Sequence, residues 1–290
     1  MLLIEIVKTL RIKQWIKNLI IFAPLIFSQN VFDTILLLKS VLAFVLFCLI
    51  SGAAYILNDL KDLEEDRLHP LKSKRPLASG RLKKSQALFS FFFLVIICLT
   101  GAFLINISFF MALGVYVVLQ VSYSFWLKHV VILDVFLIAA GFFIRVIAGG
   151  LVIEVQISPW LIICTILLAL FLALSKRRHE LVLLNESAEI HRPILKEYNP
   201  HLLDQMIAVV TASTVISYCL YTISSETIEK FGTKNLIFTV PFVLYGIFRY
   251  LYLVHQKKEG GSPEVLVITD KPLLIDIFLW IATAALIIYI

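Results

Sequence analysis

Apolar runs long enough to cross a bilayer recur along almost the whole chain, and they decide what it can fold into. A span needs about 20 mostly apolar residues to cross a hydrocarbon core about 30 Å thick. Nine stretches approach that requirement: residues 17 to 30, 35 to 57, 87 to 106, 108 to 126, 131 to 152, 157 to 175, 202 to 223, 235 to 254 and 272 to 290. The chain is 60% hydrophobic and only 16% charged, more apolar surface than a soluble interior can hide. The expected fold is therefore all-α, a polytopic membrane protein with nine transmembrane helices in a single domain covering residues 1 to 290. The first span is the shortest, because Lys17, Asn18 and Pro24 interrupt it. Residues 1 to 16 are amphipathic and basic, and read as an interfacial segment rather than a cleaved signal.

Twenty-six Lys and Arg against 20 Asp and Glu give a net charge of +6. In a membrane chain the position of the charges matters more than their sum, so nucleic-acid binding is a poor reading of the excess. The basic residues gather at the N-terminus (Lys8, Arg11, Lys13, Lys17) and in the second-to-third, fourth-to-fifth, sixth-to-seventh and eighth-to-ninth loops. Positive charge is retained on the cytoplasmic side. This predicts a cytoplasmic N-terminus in the inner membrane, with the polar loops 58 to 86 and 176 to 201 opening on that same face. Cys48, Cys98, Cys164 and Cys219 each lie inside an apolar run without C-x-x-C spacing, and read as small core residues.

The second span ends in "NDLKDLEED", residues 58 to 66. On a helix, Asp59, Asp62 and Asp66 are i, i+3 and i+7 and project from one face. Three carboxylates so placed repel one another, and a hard divalent cation such as Mg²⁺ relieves that, usually together with substrate phosphate oxygens. A solvated helix end would carry similar residues, but this triplet emerges straight from an apolar span, where carboxylates are functional by default. Downstream, Lys72, Lys74, Arg75 and Arg81 flank Pro76 and Gly80. The positive-inside rule explains the loop as a whole. For Lys74 and Arg75 a grip on a polyphosphorylated substrate is the favoured reading.

At these residues the chain resembles the UbiA superfamily of intramembrane prenyltransferases, whose first aspartate motif is N-D-x-x-D-x-x-x-D. "LRIKQWIKN" (10 to 18), "KSKRPLASG" (72 to 80), "YSFWLKH" (123 to 129), "GFFIRVIAGG" (141 to 150), "SKRRHEL" (175 to 181) and "GGSPEVLVITDKPL" (260 to 273) narrow the likeness to the decaprenyl-phosphate phosphoribosyltransferase branch. The resemblance implies a UbiA-like bundle with Mg²⁺ on Asp59, Asp62 and Asp66 as the catalytic and metal-binding set. It implies phosphoribosyl pyrophosphate (PRPP) as donor, a polyprenyl phosphate in the membrane as acceptor, and substrate contacts at Lys17, Asn18, Asn58, Tyr123 and Lys128. Homo-oligomerisation is left open.

Typical superfamily members carry a second aspartate cluster after the sixth span. Here that position reads Ser175, Lys176, Arg177, Arg178, His179 and Glu180. One acidic and one basic pole suit PRPP, with its pyrophosphate on the metal and its 5′-phosphate near Lys176, Arg177 and Arg178. An aromatic prenyltransferase would need the missing acidic cluster, and a transporter would place midplane charges in both halves. Arg145 lies about 21 Å into the fifth span at 1.5 Å per residue, where an unpaired charge is expensive. Asp134, about 16 Å away along the same helix, is out of reach. A buried ion pair with another helix and a substrate contact both remain open for Arg145. Gly141 and Gly149, one turn to either side, would admit close approach of a backbone or ligand.

Overall fold

The structure, a computed structural model, describes residues 2–68, 72–184, 193–257, 261 and 263–290. Parts of both polar loops, 69–71 and 185–192, and residues 260 and 262 of the last motif lie outside the described residues. Among the described residues there are thirteen α-helices, with 3₁₀ segments between some of them. Eight helices are long and apolar enough to cross a membrane among the described residues, and the chain is an integral membrane protein.

The chain forms two compact units, residues 1–157 and 158–290. The first contains α1 (Leu2–Thr9), α2 (Ala23–Phe27), α3 (Thr34–Lys61), α4 (Leu63–Leu68), α5 (Lys84–Ile105), α6 (Ile107–Phe125) and α7 (Leu133–Ile153). The second contains α8 (Pro159–Leu184), α9 (Pro200–Ile223), α10 (Ser225–Phe231), α11 (Val240–His255), α12 (Pro263–Thr269) and α13 (Lys271–Tyr289).

Eight of the nine expected spans correspond to long helices, the eighth with a 3₁₀ turn at Asn235–Thr239 leading into α11. The first is built differently. Residues 17 to 30 fall in a 3₁₀ run, Ile12–Phe22, that passes into the five-residue α2. At about 2.0 Å per 3₁₀ residue and 1.5 Å per α residue, this rod reaches roughly 30 Å, comparable with a hydrocarbon core. Its packing explains its course. A methyl group at Gly149 of α7 would collide with the carbonyl of Ile21, so the absent side chain lets the two backbones touch. Ile21 and Leu25 then join Phe47, Ile50, Phe109, Leu113, Tyr116 and Ala148 in the larger buried cluster of this unit.

A second cluster determines where the polar loop runs. Leu77 and Leu82 are buried with Leu10, Ala53, Ile56, Leu57 and Leu63. Between them Gly80 adopts a left-handed φ of 77° that a side chain would strain. The loop is thus tied to the end of α3 on both sides of its turn.

Helix starts follow the sequence. Asp33, Asn106, Asn199 and Asp270 cap α3, α6, α9 and α13, each accepting from a backbone N–H of the first turn. The Asp270 cap is also an ion pair: Arg249 of α11 donates Nε and Nη2 to its two oxygens at 3.0 and 2.8 Å. That hydrogen bond from Arg249, assisted by the Leu273 N–H and opposed by burial, holds the Asp270 carboxyl below the usual carboxylate range. A lowered folded-state pKa contributes stability that is complete above the unfolded value and lost as pH falls through the folded one. Asp270→Asn should therefore melt below the wild type at neutral pH, and the difference should vanish on acidification below the ordinary carboxylate range. A difference that persists there would show that packing, not charge, holds the two helices.

Candidate active site at the end of helix α3

The acidic motif closes α3 and opens α4. Helix α3 ends at Lys61, Asp62 is its C-cap with φ −91° and ψ 15°, and α4 resumes at Leu63. The break is one residue long, so Asp59 and Asp66 remain on one face. Both are almost fully buried, at 1% and 2% exposure. Asp62 is more exposed, at 19% of its side chain.

Each carboxylate meets cations from other segments. Arg75 Nη1 donates to Asp59 Oδ1 at 3.0 Å and to Asp66 Oδ2 at 2.5 Å, so one guanidinium nitrogen bridges the two buried aspartates. Arg11 Nη2 donates to the same Asp59 Oδ1, with its guanidinium 4.7 Å above the Tyr55 ring. Lys72 lies 3.9 Å from Asp66 Oδ1. Lys128, from the 3₁₀ turn Leu127–His129, pairs with Asp62 Oδ1, while Asn58 Nδ2 donates to Asp62 Oδ2 at 3.0 Å.

The expected triplet is thus divided into a bridged pair and a third carboxylate drawn toward Lys128. Among the described residues no group of three or more His, Cys, Asp or Glu is arranged to hold a metal ion. Instead, Arg11, Arg75, Lys72 and Lys128 pair with the three carboxylates. The donor chemistry still suits a hard divalent cation, since the buried groups are carboxylate oxygens. Asp59 and Asp66 also already share one cation, the Arg75 guanidinium, between them. Asp59 and Asp66 therefore fit such an ion once Arg75 yields.

A second polar centre lies deeper in the same unit. Arg145 of α7, 7% exposed, donates Nε to Asn18 Oδ1 at 2.6 Å, Nη1 to the Gly141 carbonyl at 2.8 Å and Nη2 to Tyr116 Oη at 2.9 Å. Its guanidinium also faces the rings of Tyr116 and Phe142 at 4.9 and 5.4 Å. Among the described residues no carboxylate lies within ion-pair distance, so the buried-ion-pair alternative for Arg145 is replaced by a cation held on neutral acceptors and aromatic faces. Asn18 in turn donates to Ser51 Oγ at 3.2 Å and Cys48 Sγ at 3.3 Å on α3. Ser51 precedes Asp59 by eight residues, about 12 Å along the helix, so Asn18 and Arg145 fix the rod that carries Arg11 rather than touching the carboxylates.

The remaining expected residues fall in both units. Lys17 and Tyr123 are half-buried. Lys74 is exposed, and its carbonyl accepts from Arg81, so Arg75 and Lys72 reach the aspartates where Lys74 does not. In the second unit, Lys176 is half-buried on α8 and Arg177, 1% exposed, donates to Glu180 at 2.8 Å. Arg178 pairs with Asp204 of α9, which also lies 3.2 Å from His255 Nε2 of α11. Asp204 and His255 carried no signal in the sequence beyond their type. Arg11 was visible only as one of the three basic residues of "LRIKQWIKN", where membrane anchoring accounts for it equally well.

The model of the UbiA prenyltransferase family matches residues 19–281. A protein of Corynebacterium glutamicum called decaprenyl-phosphate phosphoribosyltransferase is 32% identical over 289 residues, covering 98% of this chain and 86% of its own. Its namesake in Mycolicibacterium smegmatis is 30% identical, covering 98% and 92%. Among solved structures, a UbiA homolog from Archaeoglobus fulgidus bound to DMAPP and Mg²⁺ superposes with a TM-score of 0.75 at 20% identity, covering 99% of both chains.

Proposed function

Because the chain belongs to the UbiA prenyltransferase family and is a transferase, we propose that it moves 5-phosphoribose from PRPP to a polyprenyl phosphate and releases pyrophosphate. The observation that carries this reading is the buried acidic pair Asp59 and Asp66, in a sequence that is basic rather than acidic at the end of α8. Relatives named for this reaction match the chain over nearly its full length, which supports the same reading.

Asp59 and Asp66, with Asp62 beside them, would hold Mg²⁺, which when bound supplies charge stabilisation to the departing diphosphate. Arg75 offers a planar fork suited to phosphate oxygens, and Lys128 adds a point charge from the α6–α7 turn. Three carboxylates against Arg11, Arg75, Lys72 and Lys128 leave the bare site formally positive. Such a site repels a free dication and attracts an anionic metal–diphosphate, so metal and donor enter together.

The acceptor is a phosphate monoester, already anionic near neutral pH, so no strong base is required to make it a nucleophile. It attacks the anomeric carbon of the ribose as the bond to pyrophosphate breaks, and the ring develops oxocarbenium-like positive charge. The buried carboxylates favour that charge electrostatically. Positioning and charge neutralisation supply most of the acceleration. Residues 1–290 work as a single transmembrane domain in the inner membrane, with the end of α3 facing the cytoplasm.

Purified protein incubated with labelled PRPP and polyprenyl phosphate should transfer label to the lipid and release one pyrophosphate per transfer. Prenyl diphosphate with hydroxybenzoate should give nothing. Prenylation of the aromatic acid without label transfer would replace this reading with aromatic prenyltransfer, and accumulation of unmodified substrate in vesicles would replace it with transport.

A further inference from the structure

Arg11 and Arg75 converge on one atom. Both donate to Asp59 Oδ1, from segments 64 residues apart in sequence. Two guanidinium groups this close repel each other, and the shared carboxylate oxygen, with Asp66 on the Arg75 side, offsets that repulsion. One oxygen cannot satisfy two planar forks, each of which can grip two acceptors side by side.

Arg11 is also held under strain. Its backbone φ of 53° and ψ of 58° lie in the left-handed region, unfavourable for a side chain of this size. Such a conformation persists only where the surroundings impose it. They do: Leu10 is buried against Gly52, where an added methyl would come within 2.7 Å of the Leu10 side chain. On the other side Asn18 is fixed by Arg145. The chain thus accepts a strained residue in order to deliver this guanidinium to the aspartate. The Tyr55 ring, one turn before Asp59 on α3, lies 4.7 Å from its guanidinium and holds it by its aromatic face.

We propose that Arg11 and Arg75 are parked ligands of the donor's diphosphate. Arg11 at Asp59, and Arg75 at Asp59 and Asp66, take the place of a cation. When a divalent cation with its diphosphate enters, the aspartates exchange arginine for metal, and the two forks, released together, turn to the diphosphate oxygens. Arg11 thereby becomes a substrate-binding residue. The exchange keeps every buried charge paired before and after, which avoids the cost of uncompensated carboxylates in either state. It rests on the reading of Asp59 and Asp66 as the metal-holding pair.

Two affinities of the full chain in detergent test this: Mn²⁺ alone, by the paramagnetic resonance of free Mn²⁺, and inorganic pyrophosphate in the presence of Mn²⁺, by calorimetry. Arg11→Gln and Arg75→Gln each remove a competitor for the metal and a ligand of the diphosphate. Mn²⁺ alone should bind roughly tenfold tighter, and pyrophosphate roughly tenfold weaker, the scale of one charge-assisted hydrogen bond. Opposite signs are the signature, because a merely structural arginine would lower both affinities. Arg11→Lys restores the charge and should return Mn²⁺ binding to the wild-type level. Mn²⁺ affinity unchanged or reduced in both Gln variants, or pyrophosphate affinity retained, overturns the exchange. The Asp59→Asn/Asp66→Asn double variant separates the premises. Undiminished Mn²⁺ binding there refutes the metal-holding pair itself, whereas loss there with unaltered binding in the Gln variants refutes only the parked arginines.

Discussion

Asp59→Asn should lower kcat/KM for phosphoribosyl transfer by about 10³-fold, with the protein still inserted and folded. The substitution keeps shape and leaves an oxygen for Arg11 and Arg75, which are each about one-quarter exposed and can be partly hydrated when their counter-charge is gone. Folding therefore loses little. Catalysis loses a buried charge at the point where a metal–diphosphate would be held, and the removal of one such electrostatic partner costs on the order of 10²–10³ in rate. The structure also ranks the three aspartates. Asp59 and Asp66 share a bridging cation and are nearly inaccessible, whereas Asp62 faces Lys128 and is 19% exposed. Asp66→Asn should match Asp59→Asn, while Asp62→Asn should retain turnover with a raised Mg²⁺ requirement. Rates measured across a Mg²⁺ titration decide the matter: an Asp59→Asn enzyme within tenfold of wild type would remove the centre from the chemistry.

The ranking was not legible in the sequence, for a physical reason. Spacing placed Asp59, Asp62 and Asp66 on one helical face, and helices α3 and α4 do flank Asp62 on both sides. The one-residue break at Asp62, and the choice of cation for each carboxylate, depend on segments distant in the chain: Arg11 from the N-terminal rod, Lys128 from the α6–α7 turn. Of the two loop residues singled out, Arg75 reaches the aspartates and Lys74 does not. The burial of Leu77 and Leu82 sets the phase of the loop, and nothing in a run of basic residues reveals that phase.

The fold was more readable, because spans are written in composition. Eight runs gave eight long helices, and Asp270 with Pro272 capped the last one as its local chemistry required. The first run became a 3₁₀ rod instead, since its form is determined by contact with α7 rather than by its own residues. Arg145 shows the same limit. Its depth made a partner necessary, but periodicity could not tell a carboxylate from the amide of Asn18, the hydroxyl of Tyr116 and a carbonyl one turn away.

That contact makes Gly149 the most sensitive glycine in the first unit. By helix propensity alone, Gly149→Ala would stabilise α7 by about 1 kcal/mol. The added methyl instead meets the backbone carbonyl of Ile21, an atom that cannot rotate away as a side chain would. Forcing extra volume into such packing costs typically 1–3 kcal/mol, and here the cost falls at the upper end because the rod must translate as a unit. We expect a net destabilisation of about 2 kcal/mol. Gly114→Ala is the matched comparison: no atom lies within 4 Å of its new methyl, so it should melt at or above the wild type. Displacement of the rod has a chemical consequence as well, since Asn18 would leave Arg145 and Arg11 would leave Asp59 in the same movement. Gly149→Ala should therefore lose activity beyond its loss of stability, even when assayed well below its melting midpoint, and Gly114→Ala should not. Equal melting of the two variants in detergent would show that the rod is not seated on α7 through this glycine.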